Sequence, residues 1–176
     1  MKLIVIAMIM MLTGCVVLTE NLPFSTDDSV ITEQLSGEWF VYTDQTKGEQ
    51  FKFIPQDDAS YKVEIYDTQG KFQESNIVRF AYINSVLCGA MISPDKNEYA
   101  IITVILLKDE MHAKGLSVQG VDQDITAKKI PFRTSFISGT VTNIKLHGTT
   151  EELYAYLTDR VHKSAYWTEP IIFKRK

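Results

Sequence analysis

Few side chains in this 176-residue chain stand where they could do chemistry together. His112, His147 and His162 are far apart, and none has a second histidine, a cysteine or paired carboxylates at metal-ligand spacing, so they read as surface or rim residues. Asp122-Gln123-Asp124 opens like a calcium loop, but the glycine and late glutamate of such a loop are missing at the required offsets. Asp57-Asp58 falls in an expected hairpin turn, where aspartate serves the backbone rather than acid/base chemistry. There is no G-x-S-x-G elbow, P-loop or dinucleotide fingerprint. These residues predict a protein that is not an enzyme and uses no cofactor or metal. Of the two cysteines, Cys88 lies in the apolar stretch Val86-Leu87-Cys88-Gly89-Ala90-Met91-Ile92 and reads as a small buried hydrophobe.

Cys15 has a different setting. Met1 and Lys2 form a short charged start and Leu3 to Leu12 is an unbroken apolar run, the pattern of an export signal. The run is shorter than the roughly 20 residues a spanning helix needs. Thr13 and Gly14 are small enough for a peptidase that cuts before Cys15. Leu12-Thr13-Gly14-Cys15 resembles the lipobox of bacterial lipoproteins. The resemblance implies a thioether-linked diacylglycerol on Cys15, cleavage after Gly14 and an acylated new N-terminus. Several acyl chains together anchor a protein firmly, because each buried methylene contributes about 0.8 kcal/mol. In that family the residue after the cysteine influences sorting. Val16, in place of Asp, implies the outer membrane, with the domain facing the periplasm.

The mature chain expected from this processing, Cys15 to Lys176, is one domain's worth of sequence. It carries 17 basic against 22 acidic residues, a net charge of −5, which disfavours nucleic acid as a partner. Residues 15–35 read as a tether that would hold the domain about 20 to 25 Å from the membrane. Ile31 and Leu35, four apart and preceded by Asp27 and Asp28, predict a short helical turn within it. From Ser36 on, apolar and polar residues alternate with period two, and each run ends in turn material such as Lys47-Gly48, Pro55 to Ala59, Gln69-Gly70, Pro94 to Asn97 and Lys108 to Glu110. Strands are expected at Trp39–Thr43, Phe51–Phe53, Tyr61–Ile65, Ile77–Ile83, Val86–Ile92, Tyr99–Leu107, His112–Gln119 and Gly139–Leu146. Tyr99 to Leu107 is apolar on both faces, so both should be covered. The cover expected is a helix over 149–163, started by the capping-box pair Thr149 and Glu152 and striped by Leu153, Tyr156, Leu157 and Val161. Ile171-Ile172-Phe173 reads as a last strand before Lys174-Arg175-Lys176.

Gly37-Glu38-Trp39 opens the first strand of the meander, about eight strands follow, and a helix and a final strand close the chain. This order is similar to that of the lipocalins, in which a G-x-W motif starts the first strand, its Trp packs across one end of an eight-stranded barrel, and a C-terminal helix lies outside. The family's T-D-Y motif has no counterpart, since Thr158-Asp159-Arg160 falls in the expected helix. Neither Arg133 nor Arg160 stands where its late arginine would. The expected fold is therefore all-β, an antiparallel up-and-down barrel or strongly curved sheet over 36–176 with one C-terminal helix. The alternative is a β-sandwich with the helix packed on one open sheet.

Trp39, Phe51, Phe53, Tyr61, Phe80 and Tyr82 are expected to share one side of this sheet and to form an apolar interior. An eight-stranded barrel of this kind is either filled by its side chains or holds one small ligand. Two functions follow. One is a membrane-anchored envelope protein that binds a lipid or other small apolar molecule. The other is an interaction lipoprotein with a packed core that escorts or braces another envelope protein.

Overall fold

The computed structural model describes residues 17–43, 46–93, 98–137 and 143–175. Period-two alternation decides most of it. In Ser60–Tyr66, Tyr61, Val63 and Ile65 are buried and Lys62, Glu64 and Tyr66 less so, the half-buried pattern of a sheet with one apolar face. Numbered along the chain, the strands are β1 (Val17–Thr19), β2 (Gly37–Thr43), β3 (Thr46–Pro55), β4 (Ser60–Tyr66), β5 (Phe72–Ile83), β6 (Val86–Ser93), β7 (Glu98–Leu106), β8 (Glu110–Gly115), β9 (Thr134–Ile137), β10 (Asn143–Leu146) and β11 (Ile171–Arg175). The helices are α1 (Val118–Thr126) and α2 (Thr150–Thr158).

Strands β2 to β8 form an antiparallel meander, and β11 fits between β8 and β2, pairing Phe173 with Met111 on one side and with Val41 on the other. The sheet therefore closes into an eight-stranded barrel rather than a sandwich. Closure leaves no free edge within the ring. The expected strand Gly139–Leu146 is not part of that ring. Its described part, β10, pairs with β9 and runs parallel to β1, which joins the barrel through Leu18 and Ala100 of β7. The eighth barrel strand is β11 instead, because only a strand antiparallel to both β2 and β8 fills the remaining gap.

Several other expectations change. The stretch expected to be a tether is part of the fold from Val17 onward, with Val17, Leu18, Phe24 and Leu35 buried. Apolar surface supplied by β7, β10 and the barrel end draws it in. The 3-10 turn lies earlier than expected, at Thr26–Asp28 and capped by Ser25, while over Ile31–Leu35 only hydrogen-bonded turns form, such as the Leu35 N–H to the Thr32 carbonyl at 3.0 Å. Lys47-Gly48 lies inside β3, while the expected turn Pro94 to Asn97 lies outside the described residues. The seventh expected strand, from His112, ends at Gly115, and α1 follows it. Helix α2 stops at Thr158, with Asp159 as its C-cap. Its start is as expected: the Thr149 N–H donates to Glu152 Oε2 at 2.8 Å and the Glu152 N–H to Thr149 Oγ1 at 3.3 Å. Thr149→Ala should lower stability by about 1 kcal/mol, read as a shift in the urea midpoint at unchanged slope.

Two apolar cores result. The inner one fills much of the barrel and includes Leu35, Trp39, Val41, Val63, Val78, Val104 and Phe173. The outer one lies between the outward faces of β5, β6 and β7 (Ala81, Ile83, Cys88, Ala90, Ile101) and a layer made by β1, α1, β10 and α2, with Val17, Val121, Ile144, Leu153 and Leu157. The second face of β7 is thus covered at Ile101, but Ile105 and Leu107 are half exposed, beyond the reach of that layer.

One end of the barrel is sealed. The segment after the 3-10 turn crosses it, and the Tyr61 hydroxyl accepts from the Thr32 N–H and donates to the Thr32 carbonyl, both at 2.8 Å. Trp39 Nε1 donates to the Leu35 carbonyl at 2.8 Å. Arg175 covers the outside of the same tryptophan, 4.7 Å from its ring, and donates to the Gln34 and Ser36 carbonyls at 2.6 and 3.2 Å. This is a cation–π contact combined with charge-assisted hydrogen bonds.

Candidate ligand cavity

The inner core does not fill the barrel. Toward the end opposite the Trp39 seal a cavity of about 180 Å³ opens, lined by Phe51, Phe53, Val63, Ile65, Asn76, Val78, Phe80, Met91, Ile102, Ala113, Ile171 and Phe173. Main-chain register explains the lining: Val63 pairs with both Phe53 and Asn76, and Val78 with Met91, so these side chains share the inner face. The aromatic rings are braced edge to face, Phe51 on Phe173 with centroids 5.2 Å apart and Tyr61 on Phe80 at 5.7 Å. Gly89 lets Phe80 lie against β6, since a Cβ there would stand 2.7 Å from the Phe80 ring. Lys114, Gly115 and Thr168 to Pro170 complete the rim.

Of the aromatic residues expected to form an interior, Phe51, Phe53 and Phe80 line the cavity. Trp39 and Tyr61 are buried at the sealed end, their polar atoms committed to the crossing segment. Tyr82 departs from expectation. It is 54% exposed, since it follows Phe80 at the end of β5, past the ring's apolar interior. Sequence reasoning missed Asn76, Glu74 and Met91. The signal was present in the alternation Glu74, Asn76, Val78, Phe80, which puts two polar residues on an inward face.

Those two polar residues are unusual. Asn76 is 6% exposed and its Nδ2 has no hydrogen-bond partner, and Glu74 Oε1 is likewise buried without one. Buried polar atoms are nearly always paired. Burial, with the charge of Glu49 second, pushes the Glu74 carboxyl above its ordinary value of 4.5. Burial and then Asp67 act on Glu49 in the same direction. A carboxyl with a raised folded-state pKa stabilises the fold most below its ordinary value, and that contribution is lost as pH rises through the folded value. Glu74→Gln should therefore melt higher than the native chain at pH 8 and alike at pH 4, checked by thermal melts across that range.

Other polar groups are committed elsewhere. Cys88 is fully buried and its thiol is pushed up to about 12 by burial, which leaves it inert. His112 contacts Glu110 at 3.2 Å and His162 the Asn84 carbonyl at 3.0 Å. With His147 Nδ1 donating to Glu20 at 2.8 Å, its Nε2 accepts from the Ser135 hydroxyl at 2.7 Å. Such a line can activate a serine. Here, however, Ser135 lies on β9, paired across to Lys145, and Glu20 also holds Lys145, which in turn pairs with Glu98 at 2.9 Å. We read this network as the polar seam joining β1 to the β9–β10 hairpin. Asp124 sits in α1, held by Arg160, Tyr156 and Tyr166. Among the described residues no group of three or more His, Cys, Asp or Glu could hold a metal, and no helix is long and apolar enough to cross a membrane. Cys15 and the expected export signal lie outside the described residues.

In comparisons with known proteins, no family model, curated protein or solved structure matched this chain.

Proposed function

We propose that this chain is a lipid-anchored bacterial envelope protein, lipocalin-like, whose barrel carries a small apolar molecule. The observation that carries the reading is the 180 Å³ space inside the barrel, walled by aromatic and aliphatic side chains, sealed at one end and open at the other. A cavity of about 150 Å³ with such walls stays dry and takes a guest the size of benzene. This supports a carrier over a lipoprotein with a filled core. The tryptophan of Gly37-Glu38-Trp39, capped by Arg175, adds to the lipocalin likeness.

The anchor is Cys15 in Leu12-Thr13-Gly14-Cys15, and Val16 favours the outer membrane. The first strand described, β1, begins at Val17, two residues beyond Cys15. Two residues reach at most about 7 Å, so the domain rests close to the bilayer instead of swinging on a long tether. Palmitate labelling that Cys15→Ser abolishes would test the anchor.

For the cavity, the chain is produced from Val16 onward, which keeps every described element and removes the lipid. Native mass spectrometry should show a noncovalent apolar species lost on denaturation, or uptake of added 1-octanol. A mass that stays bare in both experiments would count against the carrier.

A further inference from the structure

Within the rim of Lys114, Thr168 and Glu169, the one polar residue on the cavity wall is Asn76, and Glu74 is the next inward position of β5 toward the open end. Asn76 and Glu74 lie two residues apart on β5, opposite Val63 and Ile65, which are both inner-core residues. Directly opposed residues of an antiparallel pair project to the same face, so both polar side chains face inward, Glu74 nearer the open end. Asn76 Nδ2 is a donor without an acceptor, and Glu74 Oε1 is a second buried atom without a partner. Folding has desolvated both and paired neither, which is costly unless something else completes them.

We propose that the ligand is an uncharged amphiphile whose head both accepts and donates a hydrogen bond, an alcohol being the simplest. This deepens the carrier reading and rests on it. The hydroxyl oxygen accepts from Asn76 Nδ2 and its hydrogen goes to Glu74 Oε1, while the tail runs toward Phe80. From Asn76 to Phe80 is four residues, about 13 Å along a strand, room for a chain of about eight carbons. Other heads fit less well. A carboxylate accepts but cannot donate, and it would sit beside Glu74 with Glu49 and Asp67 nearby. An ammonium donates but cannot accept from Asn76. Lys114 is the one cation among the lining residues, and the octanoate arm of the test reads whether it draws an anion.

The test compares 1-octanol with octanoate at pH 7.5, titrated into the chain from Val16 onward and followed by NMR shifts of the cavity methyl groups. Octanol should bind at least about tenfold more tightly, the factor expected when one buried group is left unpaired. Asn76→Leu should weaken octanol about tenfold while leaving toluene, which has no polar head, bound as well as before; this separates loss of the contact from damage to the barrel. Octanoate binding as tightly as octanol would overturn the proposal and leave the carrier reading standing. Failure of octanol, octanoate and toluene alike would overturn both.

Discussion

Asp124→Ala should destabilise the protein by about 3–5 kcal/mol, the cost of stranding a buried charge. Asp124 is 1% exposed. Its Oδ2 accepts from Arg160 Nε at 2.7 Å and from the Tyr156 hydroxyl at 3.1 Å, and its Oδ1 from the Tyr166 hydroxyl at 2.9 Å. The Arg160 guanidinium also lies 3.8 Å over the Tyr156 ring and donates to the Tyr156 carbonyl. One carboxylate thus ties α1 to the end of α2 and to the turn before β11. Removing it leaves Arg160 charged, buried and short of its partner. The double variant Asp124→Ala, Arg160→Met should recover much of the loss, since it removes both charges together. Urea unfolding of the two variants measures the difference; equal losses would mean that the pair contributes packing rather than charge.

The same carboxylate gives acid sensitivity of the opposite sense to Glu74. Burial acts to raise the pKa of Asp124, but the hydrogen bonds and charge of Arg160, helped by Tyr166 and Tyr156, outweigh it and hold the carboxyl below its ordinary 3.8. Its contribution is therefore complete above that ordinary value and is lost as pH falls through the lower folded one. Acid should loosen the outer layer through Asp124, while alkali weakens the barrel mouth through Glu74.

Val63→Phe should cut uptake of 1-octanol by tenfold or more and leave the protein folded. Val63 stands on the cavity wall between Phe53 and Asn76, and the larger ring has the 180 Å³ space to enter. Gly89→Ala is the matched control. Its added Cβ would stand 2.7 Å from the Phe80 ring and 2.9 Å from Ile102, so both side chains must shift. Overpacking of that kind costs about 1–3 kcal/mol. The small substitution should thus lower the melting temperature more than the large one. The reverse order would show that Val63 faces a filled core and would remove the basis for a ligand.

All eight barrel strands were legible as strands, β11 as the last of the chain, because each is a short local run of β-type residues between turn signals; that β11 and not the Gly139–Leu146 stretch completes the ring was not. Trp39, Phe51, Phe53, Tyr61 and Phe80 could be assigned to one interior by alternation. The capping box at Thr149 and Glu152 was equally local. Tyr82 was misjudged for a reason that periodicity cannot see: the strand outlasts the apolar interior it borders. The role of Arg175 was invisible for a related reason, since its partners at Gln34 and Ser36 lie some 140 positions away in sequence.

By itself the sequence determined what neighbouring residues decide: the β character of the chain and where most strands and one helix begin. Tertiary structure decided which strands are partners. That choice placed β11 in the eighth slot, drew Val17 to Leu35 into the fold, and moved β9 and β10 outside the barrel. It also decided that the interior is unfilled and that Asn76 stands on its wall with a buried amide nitrogen that has no partner. The physical reason is that a strand's periodicity specifies a buried face but not the neighbour that buries it. Cavity volume depends on how eight such faces converge, a sum over the whole ring that no single stretch of sequence contains.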